Sequence, residues 1–197
     1  PVCSSAASDV YKRQSEEIEK DKEYLFSISS KLKDKNIISL IIGGPTQYYD
    51  YSDRNIQEIF SKVNYLVKEN NLNLVVIPSM RTPKGTIEHA KIYFGNDHLV
   101  LDGVDKKAYL SALSQSKHLV ITCDSSSMIS EAALTGKPIY IATIPPKKSD
   151  KRFKNFRKLF QEMKIVRELG EKLENWNYEK LDETNRVANI IKDKIQL

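Results

Sequence analysis

The residues best equipped for chemistry stand in one run, Thr122-Cys123-Asp124-Ser125-Ser126-Ser127-Met128-Ile129-Ser130-Glu131-Ala132. Hydroxyls and backbone amides at the first turn of a helix make an anion site, because the first N–H groups have no partner inside the helix and the helix dipole adds positive potential. A diphosphate suits Ser125, Ser126 and Ser127 in that setting, with Asp124 at its edge. Glu131 falls about one helical turn further in, so its carboxylate can emerge beside the same mouth and accept hydrogen bonds from two ribose hydroxyls. The competing reading makes Asp124 or Ser125 a plain N-cap and Glu131 a solvated face residue; capping alone does not call for such a run.

Two further clusters fall at strand ends. Gly43-Gly44-Pro45-Thr46 follows an apolar run directly and precedes an aromatic loop, Tyr48-Tyr49-Asp50-Tyr51. Adjacent glycines let backbone amides approach a ligand closely, and a sugar phosphate fits there beside Thr46. The spacing is neither G-x-G-x-x-G nor a P-loop, which disfavours both the usual dinucleotide fingerprint and a nucleotide triphosphatase, and for the glycine pair taken alone a tight strand-to-helix turn is the favoured reading. Pro78-Ser79-Met80-Arg81-Thr82-Pro83 adds a cation and two hydroxyls, so that Ser79 and Arg81 are candidates for phosphate contact. The alternative has Ser79 or Thr82 capping the next helix, Pro83 beginning it and Arg81 in solvent.

Positioning these clusters at one edge takes short apolar runs alternating with helical ones, the signature of βαβ units and a parallel sheet. Strands are expected at Ile37 to Ile42, Leu72 to Ile77, His98 to Leu101, His118 to Thr122 and Pro138 to Ala142. Helices fit between them at Ser52 to Asn70, Thr86 to Phe94, Lys106 to Gln115 and Ser126 to Thr135. Several strands are apolar on both faces, as a sheet covered by helices on both sides requires. The fold class is therefore α/β, a Rossmann-like parallel sheet. Gly136-Lys137-Pro138 reads as a helix C-cap glycine leading into the last strand. A basic stretch from Lys147 to Lys158 reads as an amphipathic, solvated helix, and a closing helix is expected from Asp182 to Lys194.

The chain has 197 residues, enough for one domain of ordinary size, and no apolar run approaches the roughly 20 residues that cross a bilayer. Residues 1–14 lack an initiator Met and a signal-peptide pattern, and Asp9-Val10-Tyr11-Lys12-Arg13-Gln14 resembles a translated sequencing-adapter tail. They are set aside as non-native. Residues 15–35 read as a linking helix whose packing partner is absent, with Ile18, Tyr24, Leu25 and Ile28 as anchors, and residues 36–197 as the domain proper. Cys3 and Cys123 match no metal spacing, so neither a disulfide nor a metal is expected, in keeping with a cytoplasmic setting. His89, His98 and His118 show no ligand spacing and receive no role; Met80, Met128 and Met163 read as gap fillers. The net charge of +5 comes from 31 basic and 26 acidic residues interleaved, which singles out no partner. No stacking platform accompanies the basic stretch, so nucleic acid is not expected as a partner.

In order and spacing these pieces resemble the mitochondrial fission protein ELM family, whose bacterial members are labelled nucleoside-diphosphate-sugar epimerase-like. The resemblance runs through Ile42-Gly43-Gly44-Pro45-Thr46, Ser79-Met80-Arg81-Thr82-Pro83, the Thr122 to Ala132 run, Thr135-Gly136-Lys137-Pro138, Asn175-Trp176-Asn177-Tyr178 and the closing segment Leu181 to Ala188. It implies a GT-B arrangement with this chain as the C-terminal domain, and an N-terminal domain as its missing partner. The Asp-Ser to Ser-Glu-Ala pattern is similar to the nucleotide-sugar loop of UDP-GlcNAc epimerases. That similarity implies ribose contact for Glu131 and phosphate contact for Ser125, Ser126 and Ser127. The chain departs from the family at Met80, where a second Arg is usual, and at Pro145-Pro146-Lys147, where Gly-Gly-Ser is usual.

Together these point to a nucleotide-sugar (UDP- or GDP-type) binding domain of a metal-independent glycosyltransferase-like protein, with no separate cofactor. A catalytic residue is not assigned. The alternative is a non-catalytic scaffold at an anionic membrane surface, peripheral through the Lys147 to Lys158 stretch.

Overall fold

β1 (Ile37–Ile42) is buried at all six positions, which a strand sustains only when both faces of its sheet are covered. The computed structural model describes residues 16–180, and β1 lies inside a six-stranded parallel sheet ordered β3-β2-β1-β4-β5-β6. The other strands are β2 (Asn73–Pro78), β3 (Leu99–Val100), β4 (Ser116–Thr122), β5 (Ile139–Ala142) and β6 (Val166–Glu168). The helices are α1 (Tyr24–Ile28), α2 (Asp53–Glu69), α3 (Lys84–Phe94), α4 (Lys106–Gln115), α5 (Ser126–Ala133) and α6 (Lys151–Glu162). Strand order reverses its direction of travel between β1 and β4, and open sheets of this kind take ligands outside the strand C-termini at that switch point. Gly43 and Asp124 follow the two strands that flank it.

Local sequence explains each element. In α2, Ile56, Ile59, Phe60, Val63, Leu66 and Val67 recur at helical spacing and are all buried, each such side chain contributing about 1.5–3 kcal/mol of apolar burial. Ser52 caps that helix weakly, its hydroxyl accepting the Asn55 amide at 3.5 Å, while Asp53 and Lys68 sit at the ends that the helix dipole favours. Gly136 takes the left-handed φ of 73°, in the turn two residues past Leu134, which is the C-cap of α5 in place of the expected glycine.

Five expected strands are present, β1 at the expected bounds and the other four with boundaries shifted by one or two residues, β3 being only two residues long. β6 was not foreseen. The linking segment also differs from expectation: its packing partner is present. Leu25 is fully buried, its amide donates to Ser111 Oγ of α4 at 2.9 Å, and the Tyr24 hydroxyl reaches Asp105 at 3.2 Å. The expected single helix is instead interrupted, with α1 followed by a 3-10 turn at Ser30–Leu32. Residues 1–14 and the closing helix expected at 182–194 lie outside the described residues. No helix among the described residues is long and apolar enough to cross a membrane.

Candidate functional site

Asp124 is the hub of the sheet edge at the switch point. Its side chain is 0% exposed, and a buried carboxylate must be surrounded by donors to stay charged. Four converge on it. Oδ2 accepts the Gly44 amide at 3.1 Å and Arg81 Nη2 at 2.8 Å, while Oδ1 accepts the hydroxyls of Thr122 at 2.7 Å and Tyr51 at 2.5 Å. Thr122 Oγ1 in turn accepts the Gly43 amide at 2.8 Å and lies 3.0 Å from the Tyr51 hydroxyl. Burial, then the neighbouring Asp124 charge, pushes the Tyr51 hydroxyl far above its ordinary range, so it stays a donor at any physiological pH.

The glycine pair is required by this packing. A Cβ at Gly43 would lie 2.2 Å from Asp124 Oδ2, and one at Gly44 would lie 2.0 Å from the Arg81 carbonyl oxygen. Their amides are thus spent on Asp124 and Thr122, and the backbone approach they permit is to protein. Arg81 Nη1 donates to the Gly44 carbonyl at 3.0 Å, so the guanidinium bridges the loops after β1, β2 and β4 while its side chain remains 43% exposed. Thr82 Oγ1 fastens the same junction: it lies 2.8 Å from the Ile42 carbonyl and 2.6 Å from that of Gly43, and accepts the Ser79 amide at 2.8 Å. It does not cap α3, whose N-cap residue is Pro83. Ser79 and Thr46 turn into their own loops, Ser79 Oγ accepting the Arg81 amide at 3.3 Å and Thr46 Oγ1 accepting the amides of Tyr48 and Tyr49 at 3.1 and 3.2 Å.

Because Asp124 faces β1, it does not cap α5. Ser125 occupies the N-cap position, yet its side chain makes no capping bond and instead lies 3.2 Å from Ser127 Oγ. Among the described residues no protein acceptor takes the amides of Ser126, Ser127 or Met128. The helix therefore opens with unpaired donors, Ser127 exposed and Ser126 half-buried. Glu131, about 7.5 Å further along the helix axis, is half-buried and accepts the Tyr109 hydroxyl on Oε2 at 2.8 Å. Tyr109 lies in the first turn of α4, whose N-terminus follows β3 and so shares the C-terminal edge of the sheet with the α5 opening. Burial, then Glu131, drives the Tyr109 hydroxyl well above its ordinary range.

A second buried network lies behind the first. Asp150, just before α6, accepts the Tyr49 hydroxyl at 2.5 Å and Arg157 Nη2 at 3.0 Å; Arg157 Nη1 donates to the Tyr49 oxygen at 2.8 Å and to the Cys123 carbonyl at 3.2 Å. Both ionic side chains are 10% exposed. The Tyr49 hydrogen bond, with Arg157 in support, holds the Asp150 carboxyl below the usual carboxylate range. The basic stretch is therefore not uniformly solvated: Arg157 is a buried structural ion, whereas Lys147, Lys148, Lys151, Arg152, Lys154 and Lys158 are exposed. Cys123, buried and free, is pushed up to about 11 by burial.

Sequence reasoning missed Tyr51, Thr122, Thr82, Tyr109, Asp150 and Arg157. Thr122 ends a strand two residues before Asp124, a spacing that would have signalled a shared face. Nothing local distinguishes Tyr109 or Arg157 from solvated helix residues.

The class defined by this sheet and its edge is a Rossmann-like α/β domain, and it is similar in structure to the UDP-GlcNAc 2-epimerase of Neisseria meningitidis bound to UDP-GlcNAc. That match has a TM-score of 0.55 at 13% identity and covers 94% of this chain and 44% of the other. The sequence signature of the Mitochondrial fission ELM1 family matches residues 12–195, and the chain belongs to that family. An uncharacterized protein of Rickettsia prowazekii is 30% identical over 171 residues, covering 83% of this chain and 48% of its own. The mitochondrial fission protein ELM1 of Arabidopsis thaliana is 30% identical over 111 residues, covering 55% and 24%. The chain thus spans half or less of the length of these relatives.

Proposed function

We propose that this chain is the nucleotide-sugar-binding half of a GT-B glycosyltransferase-like protein. The observation that carries the proposal is the opening of α5, where the amides of Ser126, Ser127 and Met128 have no described protein partner, with Glu131 about 7.5 Å further along the same helix and its Oε1 uncommitted among the described residues. The amides and serine hydroxyls receive the diphosphate, and the Glu131 carboxylate, held in place by Tyr109, accepts the ribose hydroxyls. Arg81 supplies further N–H donors from the rim, and Gly43, Gly44 and Asp124 shape the floor. Likeness in fold to a UDP-GlcNAc-bound epimerase supports a UDP- or GDP-type ligand. A preceding domain furnishes the opposite wall, the acceptor site and any catalytic base. In such an assembly transfer proceeds as donors preorganised at the helix terminus stabilise the leaving diphosphate. Titrating UDP, GDP and their sugars by calorimetry into this chain and into Glu131→Ala tests the reading. Binding to the parent chain that weakens about tenfold in the variant is expected; equal heats for both proteins reject the ribose role.

A second reading is a non-catalytic protein on the same fold acting at an anionic membrane surface. It is favoured by six exposed cations, Lys147 and Lys148 before α6 and Lys151, Arg152, Lys154 and Lys158 on it, with Leu159 of α6 52% exposed and Met163 at its C-cap 43% exposed. Sedimentation with phosphatidylserine-containing vesicles at low salt, lost as salt rises, would support it; no co-sedimentation at low salt removes it.

A further inference from the structure

The Arg81–Asp124 pair changes what the mouth can offer an anion. A guanidinium at a phosphate site ordinarily contributes both fixed N–H donors and a full positive charge. Here a fully buried carboxylate sits 2.8 Å from Arg81 Nη2, so the pair carries no net charge. Two of the five guanidinium N–H groups are taken, one by Asp124 and one by the Gly44 carbonyl, which leaves three on a side chain that is 43% exposed. Asp124 immediately precedes Ser125, the N-cap residue of α5, so the pair adjoins the helix opening along the chain.

We propose that Asp124 is a built-in counter-ion that fixes the direction of Arg81 and cancels its charge, so that the mouth grips a diphosphate through hydrogen bonds and not through net charge. The inference rests on the nucleotide-sugar reading and makes Asp124 a positioning residue with no ligand contact. Its consequence runs against the usual effect of deleting a binding-site residue. Asp124→Asn keeps the geometry satisfiable: the new carbonyl oxygen can face the two obligate donors, Gly44 N and Arg81, while the new NH2 faces Thr122 and Tyr51, whose hydroxyls accept as readily as they donate. Only the negative charge is lost, and Arg81 is left cationic.

The test is a charge ladder read as the ratio of UDP to uridine affinity on the full 197-residue chain. Relative to the parent, Asp124→Asn adds one positive charge, Arg81→Gln removes one, and the double variant restores neutrality. A unit charge beside a diphosphate at intermediate dielectric shifts its affinity by about fivefold or more. The ratio should rise by about that factor in Asp124→Asn, fall in Arg81→Gln, and return near the parent value in the double variant, with the rise fading as salt is added. A merely structural role for Asp124 would lower or leave unchanged the ratio in Asp124→Asn and show no restoration in the double variant, and either result overturns the proposal. Where Asp124→Asn fails to fold, the ligand-free reading of the Arg81–Asp124 pair decides. The pairing is also read without ligand, as slowly exchanging Arg81 side-chain N–H resonances in nitrogen NMR. Their absence in the parent chain refutes the counter-ion, whereas a parent chain that shows them but binds neither uridine nor UDP refutes the nucleotide-sugar reading.

Discussion

Asp124 and Asp150 are chemically alike: each is buried, each binds an arginine, and each receives a tyrosine hydroxyl from the loop after β1, Tyr51 for the first and Tyr49 for the second. They differ in where the arginine ends. Arg157 is 10% exposed and its second nitrogen is tied to Tyr49 and to the Cys123 carbonyl, so that network is closed on itself. Arg81 is 43% exposed and keeps three N–H donors free of protein acceptors among the described residues. The same trio of residue types thus serves as a fastener in one place and as the rim of a mouth in the other. Solvent access of the cation, and not the identity of the groups, separates the two.

Breaking each trio at its arginine should show the contrast most strongly. Arg157→Met leaves a buried carboxylate with one remaining side-chain donor and should cost about 3–5 kcal/mol of unfolding free energy in urea titrations. Arg81→Gln leaves Asp124 three donors and should cost about 1–2 kcal/mol. Equal losses would erase the distinction. Next in size, Gly44→Ala forces a methyl group against the Arg81 carbonyl and should lose about 1–3 kcal/mol, read as a lower Tm, together with weaker UDP binding because Arg81 is displaced.

The tyrosines sharpen the comparison further. Tyr49→Phe and Tyr51→Phe should each cost about 1 kcal/mol, but only Tyr51→Phe should alter UDP affinity in calorimetry. A loss of affinity in Tyr49→Phe would mean that the closed network also shapes the mouth. The smallest effect is one of pH. Asp150 titrates below its ordinary 3.8 in the fold, chiefly through the Tyr49 hydrogen bond, so its contribution to stability is complete above that pH and disappears as pH falls through the folded value. Tyr49→Phe should therefore move the acid-unfolding midpoint by a few tenths of a pH unit toward neutrality, measured against the parent chain.

The sheet was legible because β1, β2, β4 and β5 are continuous apolar runs, each ending in Gly, Pro or a small polar cluster. β6 escaped because Val166-Arg167-Glu168 is short, charged and buried only at Val166. At the site, sequence placed Gly43, Gly44, Arg81 and Asp124 at one edge and identified the helix opening at Ser125 to Ser127. It did not show that these groups bind one another, since a carboxylate next to serines reads equally as a cap or a ligand contact. Asp124 becomes a hub only once β4 lies beside β1, and that adjacency belongs to topology. Arg157 was hidden for a related reason: one buried cation among six exposed neighbours has no local mark, and its partner Asp150 acquires meaning only when Tyr49 arrives from a loop 101 residues away.

The two margins of the sheet carry a further consequence. β3 has two residues and β6 three, so the outermost unpaired rows of N–H and C=O groups are little more than stubs. A second molecule seeking to add a strand finds almost no template there, in contrast to the long and regular interior. Concentrated solutions of this domain should accordingly resist edge-to-edge polymerisation while the sheet remains folded.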